Sequence, residues 1–170
     1  GDGSTCIGSI SLGVFNSNGS VEVLYNFGGG VAAFSFEVSG LVLTGASGGA
    51  AETAGMTMST AGSKVVAFNI FNTEVPAGSG VLTNVSFSSV TDASSSLYLA
   101  FDDGFYGADE DALTVAASGS VAHTTDCADA YYGTSWNSDC GCVAADNSGD
   151  DCDDCAGDPN GDSWESDCGC

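Results

Sequence analysis

The sequence predicts an all-β sandwich followed by a short, mostly irregular tail that is held together by disulfides. Three observations predict this architecture. Short apolar segments separated by Gly, Ser and Asn turns fill residues 7–122 of the 170-residue chain. Val, Leu, Ile and Phe lie almost entirely before Val121. Seven of the eight cysteines follow it. A chain of this length can build one apolar core and carry a small appendage.

The first region contains about nine short strands. Apolar and polar side chains alternate along 21–27 and 33–38, which is the period of a half-buried strand. Turn signals such as Asn18-Gly19 separate several of these segments, and a short helical turn is indicated only at 50–54. The predicted strands cover residues 7–14, 21–27, 33–38, 41–44, 56–59, 64–71, 80–87, 96–101 and 112–121.

The tail is built from two repeats with a period of 28 residues. The motif Asp-Cys-Ala occurs at 126–128 and again at 154–156. The motif Gly-x-Ser-Trp-x-Ser-Asp-Cys-Gly-Cys occurs at 133–142 and again at 161–170. The residues before Cys6 resemble those before Cys152, which makes Cys6 the counterpart of Cys152. The sequence therefore predicts three regions: residues 1–6 as the end of a preceding repeat, 7–122 as the sandwich, and 123–170 as two Cys/Asp/Gly-rich repeats.

The charge of the chain is extreme, with 23 acidic residues against a single base, Lys64, and a formal net charge of −22. Nucleic-acid binding requires Lys and Arg to displace phosphate counterions, so that class of function is excluded. Insertion into a membrane is not expected either, since no apolar stretch approaches the roughly 20 residues that a spanning helix needs. Bound divalent cations would relieve the self-repulsion of so acidic a chain. A solvated acidic surface suited to salty water is the other explanation.

Two resemblances arise from the motifs themselves. The segments Val-Glu-Val-Leu-Tyr at 21–25, Ala-Phe-Ser-Phe-Glu-Val at 33–38 and Gly-Val-Leu-Thr-Asn-Val-Ser-Phe at 80–87 resemble the cohesin-type jelly rolls related to carbohydrate-binding modules. The tail is similar to the Cys/Asp/Gly repeats of large bacterial surface proteins. Together these resemblances imply an extracellular adhesive, scaffold or appendage protein, and fold alone does not decide among these roles.

Acidic loops in the tail predict calcium sites. Asp146-x-x-Gly-Asp150 and Asp158-x-x-Gly-Asp162 share one spacing, in which a glycine lets two carboxylates converge. Ca²⁺ takes six to eight oxygen ligands. The candidate ligands are Asp146, Ser148, Asp150, Asp151, Asp158, Asn160, Asp162, Glu165 and Asp167, with Asp153 and Asp154 nearby. Asx turns that only order the loops are the alternative.

A second acidic cluster is predicted on the rim of the sandwich. It comprises Asp102, Asp103, Asp109 and Asp111, in the loop that follows the strand at 96–101. A calcium site and a plain acidic loop are equal alternatives there.

The cysteines predict disulfides rather than a zinc site, because the nearby carboxylates favour hard cations and the only histidine, His123, lies outside the repeat. Disulfides imply an oxidising compartment and hence a secreted or cell-surface protein. Eight cysteines allow 105 complete pairings, so spacing cannot fix the connectivity. We expect Cys127–Cys140, Cys142–Cys152 and Cys155–Cys168. Cys6 and Cys170 then remain, for a bond between neighbouring copies or within one chain.

Two sequons, at Asn18 and Asn84, predict N-glycosylation of a glycoprotein. The two tail tryptophans, Trp136 and Trp164, are expected to form the small core of each repeat. An enzyme is not expected, because no Ser or Cys stands in a recognisable spacing with a base.

The sequence favours a self-assembling structural protomer of a filament or surface array. Its strands at 64–71 and 80–87 are candidates for pairing with an extended segment of a neighbour. The rival hypothesis is an adhesion module that binds a carbohydrate or a dockerin-like partner, with the tail as a stalk. Its aromatic strip would come from Tyr98, Phe105, Tyr106, Tyr131 and Tyr132.

Overall fold

The structure is a computed structural model that describes residues 6–170, with side chains from Gly8 onward. The chain divides into two compact units, of which the first ends at His123 and the second comprises Thr124–Cys170. The expected boundary, between residues 122 and 123, lies one residue away. The first strand already begins at Cys6, and the rest of the predicted preceding repeat lies outside the described residues.

The first unit contains eleven strands and one short helix. In chain order these elements are β1 Cys6–Asn16, β2 Ser20–Phe27, β3 Ala33–Val38, β4 Leu41–Ser47, α1 Gly49–Thr53, β5 Thr57–Ala61, β6 Lys64–Phe68, β7 Gly78–Val90, β8 Ser94–Tyr98, β9 Phe105–Tyr106, β10 Ala112–Ser118 and β11 Ser120–Ala122. The all-β prediction is confirmed. The strands beyond the expected nine include β9 and β11, which at two and three residues are too short to show a period.

Two sheets form the sandwich. The first has the order β4-β7-β2-β1-β10, antiparallel except for the parallel pair of β1 with β10. In the second, β5 pairs with β6 and β6 with β3, and β3 pairs with β8 near one end and with β9 near the other. Strand β11 pairs with β8. Strand β10 also pairs with β9 and so joins the two sheets.

The core lies between the sheets because alternate side chains of facing strands point inward. Val21, Val23 and Phe27 of β2 are buried, as are Phe34, Phe36 and Val38 of β3. Phe27 meets Phe105 of the opposite sheet with ring centroids 5.9 Å apart. Each such side chain contributes roughly 1.5–3 kcal/mol when fully buried, so this layer stabilises the sandwich.

The sheet edges differ from expectation. The strands proposed for pairing with a neighbour are both interior, since β6 lies between β3 and β5 and β7 lies between β2 and β4. Within the described sheets, β4 and β5 each pair on one side only. Strand β11 likewise pairs only with β8, so the edges open to a further strand are those of β4, β5 and β11, and the prediction for β6 and β7 is wrong.

The second unit has little regular structure. It contains the hairpin β12 Trp136–Ser138 and β13 Gly141–Val143. Isolated bridges recur at the repeat period: Thr125 pairs with Tyr131, and Asp153 pairs with Pro159. The two sequence repeats therefore fold in the same way.

Candidate functional site

One aspartate organises each tail repeat. Asp154 Oδ1 accepts hydrogen bonds from the amides of Ala156 and Asp158 at 2.9 and 3.0 Å, and its Oδ2 accepts one from Ser163 at 2.9 Å. These backbone donors favour the charged form and hold the pKa of Asp154 at about 2. A single carboxylate thus closes a loop that has no apolar core.

The first repeat contains the same arrangement. Asp126 Oδ1 accepts from the amides of Ala128 and Ala130 at 2.9 and 3.0 Å, and its Oδ2 accepts from Ser135 at 2.9 Å. Hydrogen bonds from these amides, that of Ala130 foremost, lower the pKa of Asp126 as well. This structural role was not predicted, although the repetition of Asp before the first cysteine was the signal for it. The Asp154 carboxylate accepts hydrogen bonds from backbone amides, as expected if the acidic residues of the tail form Asx turns.

Three disulfides follow the repeat. Cys127 bonds Cys142 and Cys155 bonds Cys170, each across 15 residues, with Cα–Cα distances of 5.6 and 5.4 Å. Cys140 bonds Cys152, with a Cα–Cα distance of 5.3 Å. Cys168 is the one free cysteine among the side chains that the structure describes, and it is exposed.

The expected connectivity is therefore wrong at each bond: Cys127–Cys140, Cys142–Cys152 and Cys155–Cys168 do not form, and Cys170 is bonded within the chain. Cys140 lies in the turn between β12 and β13, where its amide donates to Ser138 Oγ at 3.1 Å. That turn meets Cys152, while β13 brings Cys142 to Cys127. The side chain of Cys6 lies outside the described part of the chain.

The linker between the repeats covers the first hairpin. Gly149 is buried with φ of 87°, and a Cβ placed there would lie 2.7 Å from Trp136 Cη2 and 2.8 Å from Ser138 Cβ. Only glycine fits that approach without strain. Trp136 is 41% exposed, whereas its counterpart Trp164 is 74% exposed. The expectation that both tryptophans form a core is therefore wrong for Trp164, which has no linker packed on it within the described residues.

The described residues show no cluster of three acidic ligands from the predicted calcium set of the tail. Asp151 Oδ2 accepts from Asn147 Nδ2 at 2.7 Å, and the amide of Asn160 donates to the Cys152 carbonyl at 2.7 Å. Between Gly8 and Cys170, two groups of three Asp, Glu, Cys or His residues bring their ligand atoms within 4.8 Å of one another. Neither group contains one of the predicted calcium ligands of the tail. One of these groups is Cys140, Cys152 and Asp153, whose two sulfurs are bonded to each other. The tail calcium sites thus stay a prediction.

Negative charge nevertheless concentrates in the linker. The pKa of Asp153 is raised, first by desolvation and then by repulsion from Asp150, Asp139, Asp154 and Asp158. A nearby cation would relieve this repulsion, and carboxylate oxygens are the ligands that Ca²⁺ prefers.

The predicted rim site is occupied by a protein cation. Lys64 Nζ lies 2.7 Å from Asp102 Oδ2 and 2.9 Å from Asp103 Oδ1, whose side chain is fully buried. The carboxylate oxygens of Glu37, Asp102 and Asp103 gather within 4.8 Å of one another.

Hydrogen bonds complete this cluster. Glu37 Oε2 accepts from Ser63 Oγ and from Tyr98 OH, each at 2.7 Å. The hydrogen bond between Lys64 and Asp102 lowers the pKa of Asp102, and the bonds to Asp102 and Asp103 raise the pKa of Lys64. The hydrogen bond to Glu37 raises the pKa of Tyr98. The predicted ligands Asp109 and Asp111 are not part of this group. The sequence left a calcium ion and a plain acidic loop as alternatives here, and in the structure the Lys64 ammonium group pairs with Asp102 and Asp103.

An open groove of about 410 Å³ lies between the end of β6 and β9. It is lined by Ala32, Ala33, Phe68, Asn69, Asn72, Tyr106, Gly107 and Glu110. Ile70 and Phe71, in the loop after β6, are 75% and 82% exposed. Of the residues proposed for an aromatic strip, Tyr98 and Tyr106 are exposed, whereas Phe105 is buried in the core and is not available to a ligand.

The predicted glycosylation sites differ in exposure. Asn18 is exposed in the turn between β1 and β2, where its amide donates to Asn16 Oδ1 at 2.9 Å. Asn84 lies inside β7, is half-buried, and has strands paired on both sides. Asn18 is the more accessible acceptor.

A Ser–His pair occurs in the sandwich. Ser95 Oγ lies 2.8 Å from His123 Nε2, and both side chains are buried. The His123 ring packs against Phe15 with centroids 4.8 Å apart, and burial lowers its pKa. Because Ser95 has no exposed surface, the pair satisfies two buried polar groups and offers no nucleophile to a substrate.

A helix with the length and apolar character of a membrane span is absent from residues 6–170.

No protein-family model matches the sequence, and no curated protein matches it. Solved structures do match. A chain of a dockerin–cohesin complex aligns at 14% identity with a TM-score of 0.50, covering 69% of this chain and 99% of the other. A non-cellulosomal cohesin from the hyperthermophilic archaeon Archaeoglobus fulgidus aligns at 19% identity with a TM-score of 0.50, covering 66% and 88%. The expected resemblance is confirmed, and the sandwich of this chain has the cohesin-like jelly-roll fold.

Proposed function

We propose that this chain is an extracellular structural protein, a protomer that assembles with copies of itself into a filament or surface array. One observation carries the proposal. The two tail repeats have the same internal bonding, with an aspartate that accepts three backbone N–H groups and a disulfide across 15 residues in each. Units that repeat one internal plan and are cross-linked by disulfides are suited to a structural role in an assembly of copies.

The cross-links of the tail support the same role. Three disulfides and two aspartate anchors order a segment that holds almost no buried apolar side chain. In the chain-entropy model, a disulfide that closes a loop of about 15 residues raises the free energy of unfolding by roughly 3 kcal/mol. Disulfides of this kind persist in oxidising compartments, which supports a secreted or cell-surface location.

Calcium belongs to this proposal. The net charge of −22 and the carboxylates that crowd Asp153 favour a bound divalent cation between the repeats. Asp146, Asp150 and Asp151 on the linker, with Asp158 and Asp162 on the second repeat, are the proposed oxygen ligands.

Sedimentation velocity tests the assembly. The purified chain is compared across a hundredfold range of concentration, with Ca²⁺ and with EDTA. We expect the sedimentation coefficient to rise with concentration in Ca²⁺ and to rise less in EDTA. A single monomeric boundary at every concentration in Ca²⁺ would exclude self-assembly.

The second candidate function is an adhesion module that binds a dockerin-like partner or a carbohydrate. The groove beside β6 and the exposed Ile70 and Phe71 favour it, since large exposed apolar patches mark interaction sites. A glycan array and a panel of dockerins measure it directly. Saturable binding that Phe71→Ser abolishes would support it, and a blank array with no dockerin bound would retire it.

A further inference from the structure

Two aromatic side chains flank one small residue on the outer face of the sandwich. Phe68, at the end of β6, and Tyr106, in β9, are both paired with Ala33 of β3. Paired residues of antiparallel strands point to the same face, and these two aromatic residues are 44% and 43% exposed. Since neighbouring strands lie about 4.8 Å apart, the Cα atoms of Phe68 and Tyr106 are roughly 10 Å apart. The two rings are therefore the walls, and Ala33 the floor, of the groove of about 410 Å³.

Backbone contacts hold both walls in place. A Cβ at Gly104 would lie 2.9 Å from Tyr106 Cε2, so the Tyr106 ring lies directly against the backbone of Gly104. The Ala32 amide donates to the Tyr106 carbonyl at 2.7 Å. The Ala32 carbonyl accepts from the amide of Asn69, the residue after Phe68, at 3.3 Å. One residue of the floor thus ties the two sides together, and the groove is formed before a ligand arrives.

Two residues with an unusual backbone conformation line the same groove. Asn72 and Glu110 have φ of 52° and 62°, and in the described part of the sandwich they are the only non-glycine residues in the left-handed region. Such conformations cost free energy and cluster at ligand sites. Here they give an amide and a carboxylate to a groove with aromatic walls.

The charge around the groove narrows the choice of ligand. Glu110 lines it, and Glu74 Oε1 accepts from the Ala108 amide at 2.8 Å, next to the lining residue Gly107. Lys, Arg and His are absent from the described lining. An anionic ligand would be repelled, all the more by a chain with a net charge of −22. Two walls and an open side also enclose a cation less completely than the aromatic cages that bind quaternary ammonium groups. A neutral ligand is therefore favoured.

We propose that this groove binds a neutral sugar of a glycan, with one pyranose ring between Phe68 and Tyr106 over Ala33. Walls at that spacing admit a single ring in van der Waals contact on each side, at about 3.5–4.0 Å. The C–H faces of a pyranose pack on aromatic rings, and its hydroxyl groups bond to the Asn72 amide and the Glu110 carboxylate. This proposal rests on the second candidate function, the adhesion module, and gives it a ligand class and a site.

The test uses three sets of probes in isothermal titration calorimetry. They are neutral hexose and N-acetylhexosamine oligosaccharides chosen from the glycan array, oligosaccharides that contain uronic acids, and tetramethylammonium chloride. We expect saturable binding of a neutral oligosaccharide only. Phe68→Ala and Tyr106→Ala should each weaken it by about tenfold or more, as the loss of an aromatic anchor does. Tyr98→Ala removes an equally exposed tyrosine outside the groove and should leave the affinity unchanged.

A second pair of variants tests the floor without touching the walls. Ala33→Leu fills the space between the two rings and should abolish binding. Ala116→Leu makes the same change at an exposed alanine of β10 and should have no effect. Thermal melting shows that each variant is folded.

The outcomes separate the groove from the function on which it rests. A glycan that binds Ala33→Leu as well as the wild type would show that the groove is not the site, and the adhesion function would stand. Binding of uronic-acid oligosaccharides or of tetramethylammonium in place of neutral sugars would overturn the ligand class. So would a dockerin, bound without any glycan, that Ala33→Leu releases. If neither a glycan nor a dockerin binds the wild-type chain, the site and the adhesion function both fail.

Discussion

At the scale of single residues, the tail is ordered by carboxylates that bind backbone amides. Asp126 and Asp154 each accept three N–H groups that would otherwise lack partners in a segment with so little secondary structure. Such charge-assisted bonds are stronger than neutral ones. The acidity of the tail is therefore partly structural.

This role predicts a specific acid titration. Asp154 has a folded pKa of about 2, below its ordinary value of 3.8. The stability that it contributes is complete above its ordinary pKa and is lost as the pH falls towards the folded value. The amide protons of Ala156, Asp158 and Ser163 should therefore shift together near pH 2 in an NMR titration. Asp154→Asn should abolish that shift, and a common inflection near pH 4 would contradict the account.

Gly149 predicts a steric effect that can be separated from backbone strain. Gly149 and Gly157 have φ of 87° and 83°, but a Cβ at Gly157 meets nothing within 4 Å. Gly157→Ala should cost about 1–2 kcal/mol from the left-handed backbone alone. Gly149→Ala should cost about 1–3 kcal/mol more, because the methyl group crowds Trp136. Urea unfolding followed by tryptophan fluorescence measures both, and equal losses would show that the linker does not pack on the hairpin.

At the scale of elements, the sequence predicted those strands whose alternation is long enough to recognise. Strand β6 was expected to run to residue 71 but ends at Phe68, because Asn69 turns the chain. Its Oδ1 accepts from the Phe71 amide and its Nδ2 donates to the Ala54 carbonyl, each at 2.7 Å. Ile70 and Phe71 consequently face solvent, which their apolar character alone would not suggest.

The cysteine pairing could not be predicted from the sequence, for a different reason. Joining Cys127 to Cys140 or to Cys142 closes loops of nearly equal length, so loop entropy cannot choose between them. The choice is made by the hairpin turn at Cys140, which depends on the bond to Ser138. The predicted calcium sites share this limit, since spacing in sequence does not show where carboxylates converge.

The Lys64 cluster joins three elements of the sandwich and predicts a loss on mutation. Lys64→Gln should lower the melting temperature, because Glu37, Asp102 and the buried Asp103 would then repel one another. Lys64→Arg keeps the charge and is the control. Adding Asp103→Asn to Lys64→Gln should recover part of the loss in differential scanning calorimetry. An unchanged melting temperature in Lys64→Gln would show that solvent already screens these charges.

At the scale of the whole molecule, a cohesin-like sandwich precedes a tail that is cross-linked by three disulfides and rich in carboxylates. Calcium bound only by the folded tail would stabilise it by mass action, by about 2.7 kcal/mol at a concentration a hundred times the dissociation constant. EDTA should therefore lower the melting temperature of the tail, and Asp146→Asn with Asp150→Asn should remove that sensitivity. The matched substitutions are Asp109→Asn with Asp111→Asn in the sandwich, which should leave it intact. A melting curve that does not change in EDTA would remove calcium from the account.

The proposed function requires that copies of this chain associate with one another. Negative-stain electron microscopy of the concentrated wild-type protein in Ca²⁺ detects such assemblies. Continuous filaments or ordered arrays are expected in Ca²⁺, and fewer of them in EDTA. A field of isolated single particles at every concentration in Ca²⁺ would exclude the proposed function.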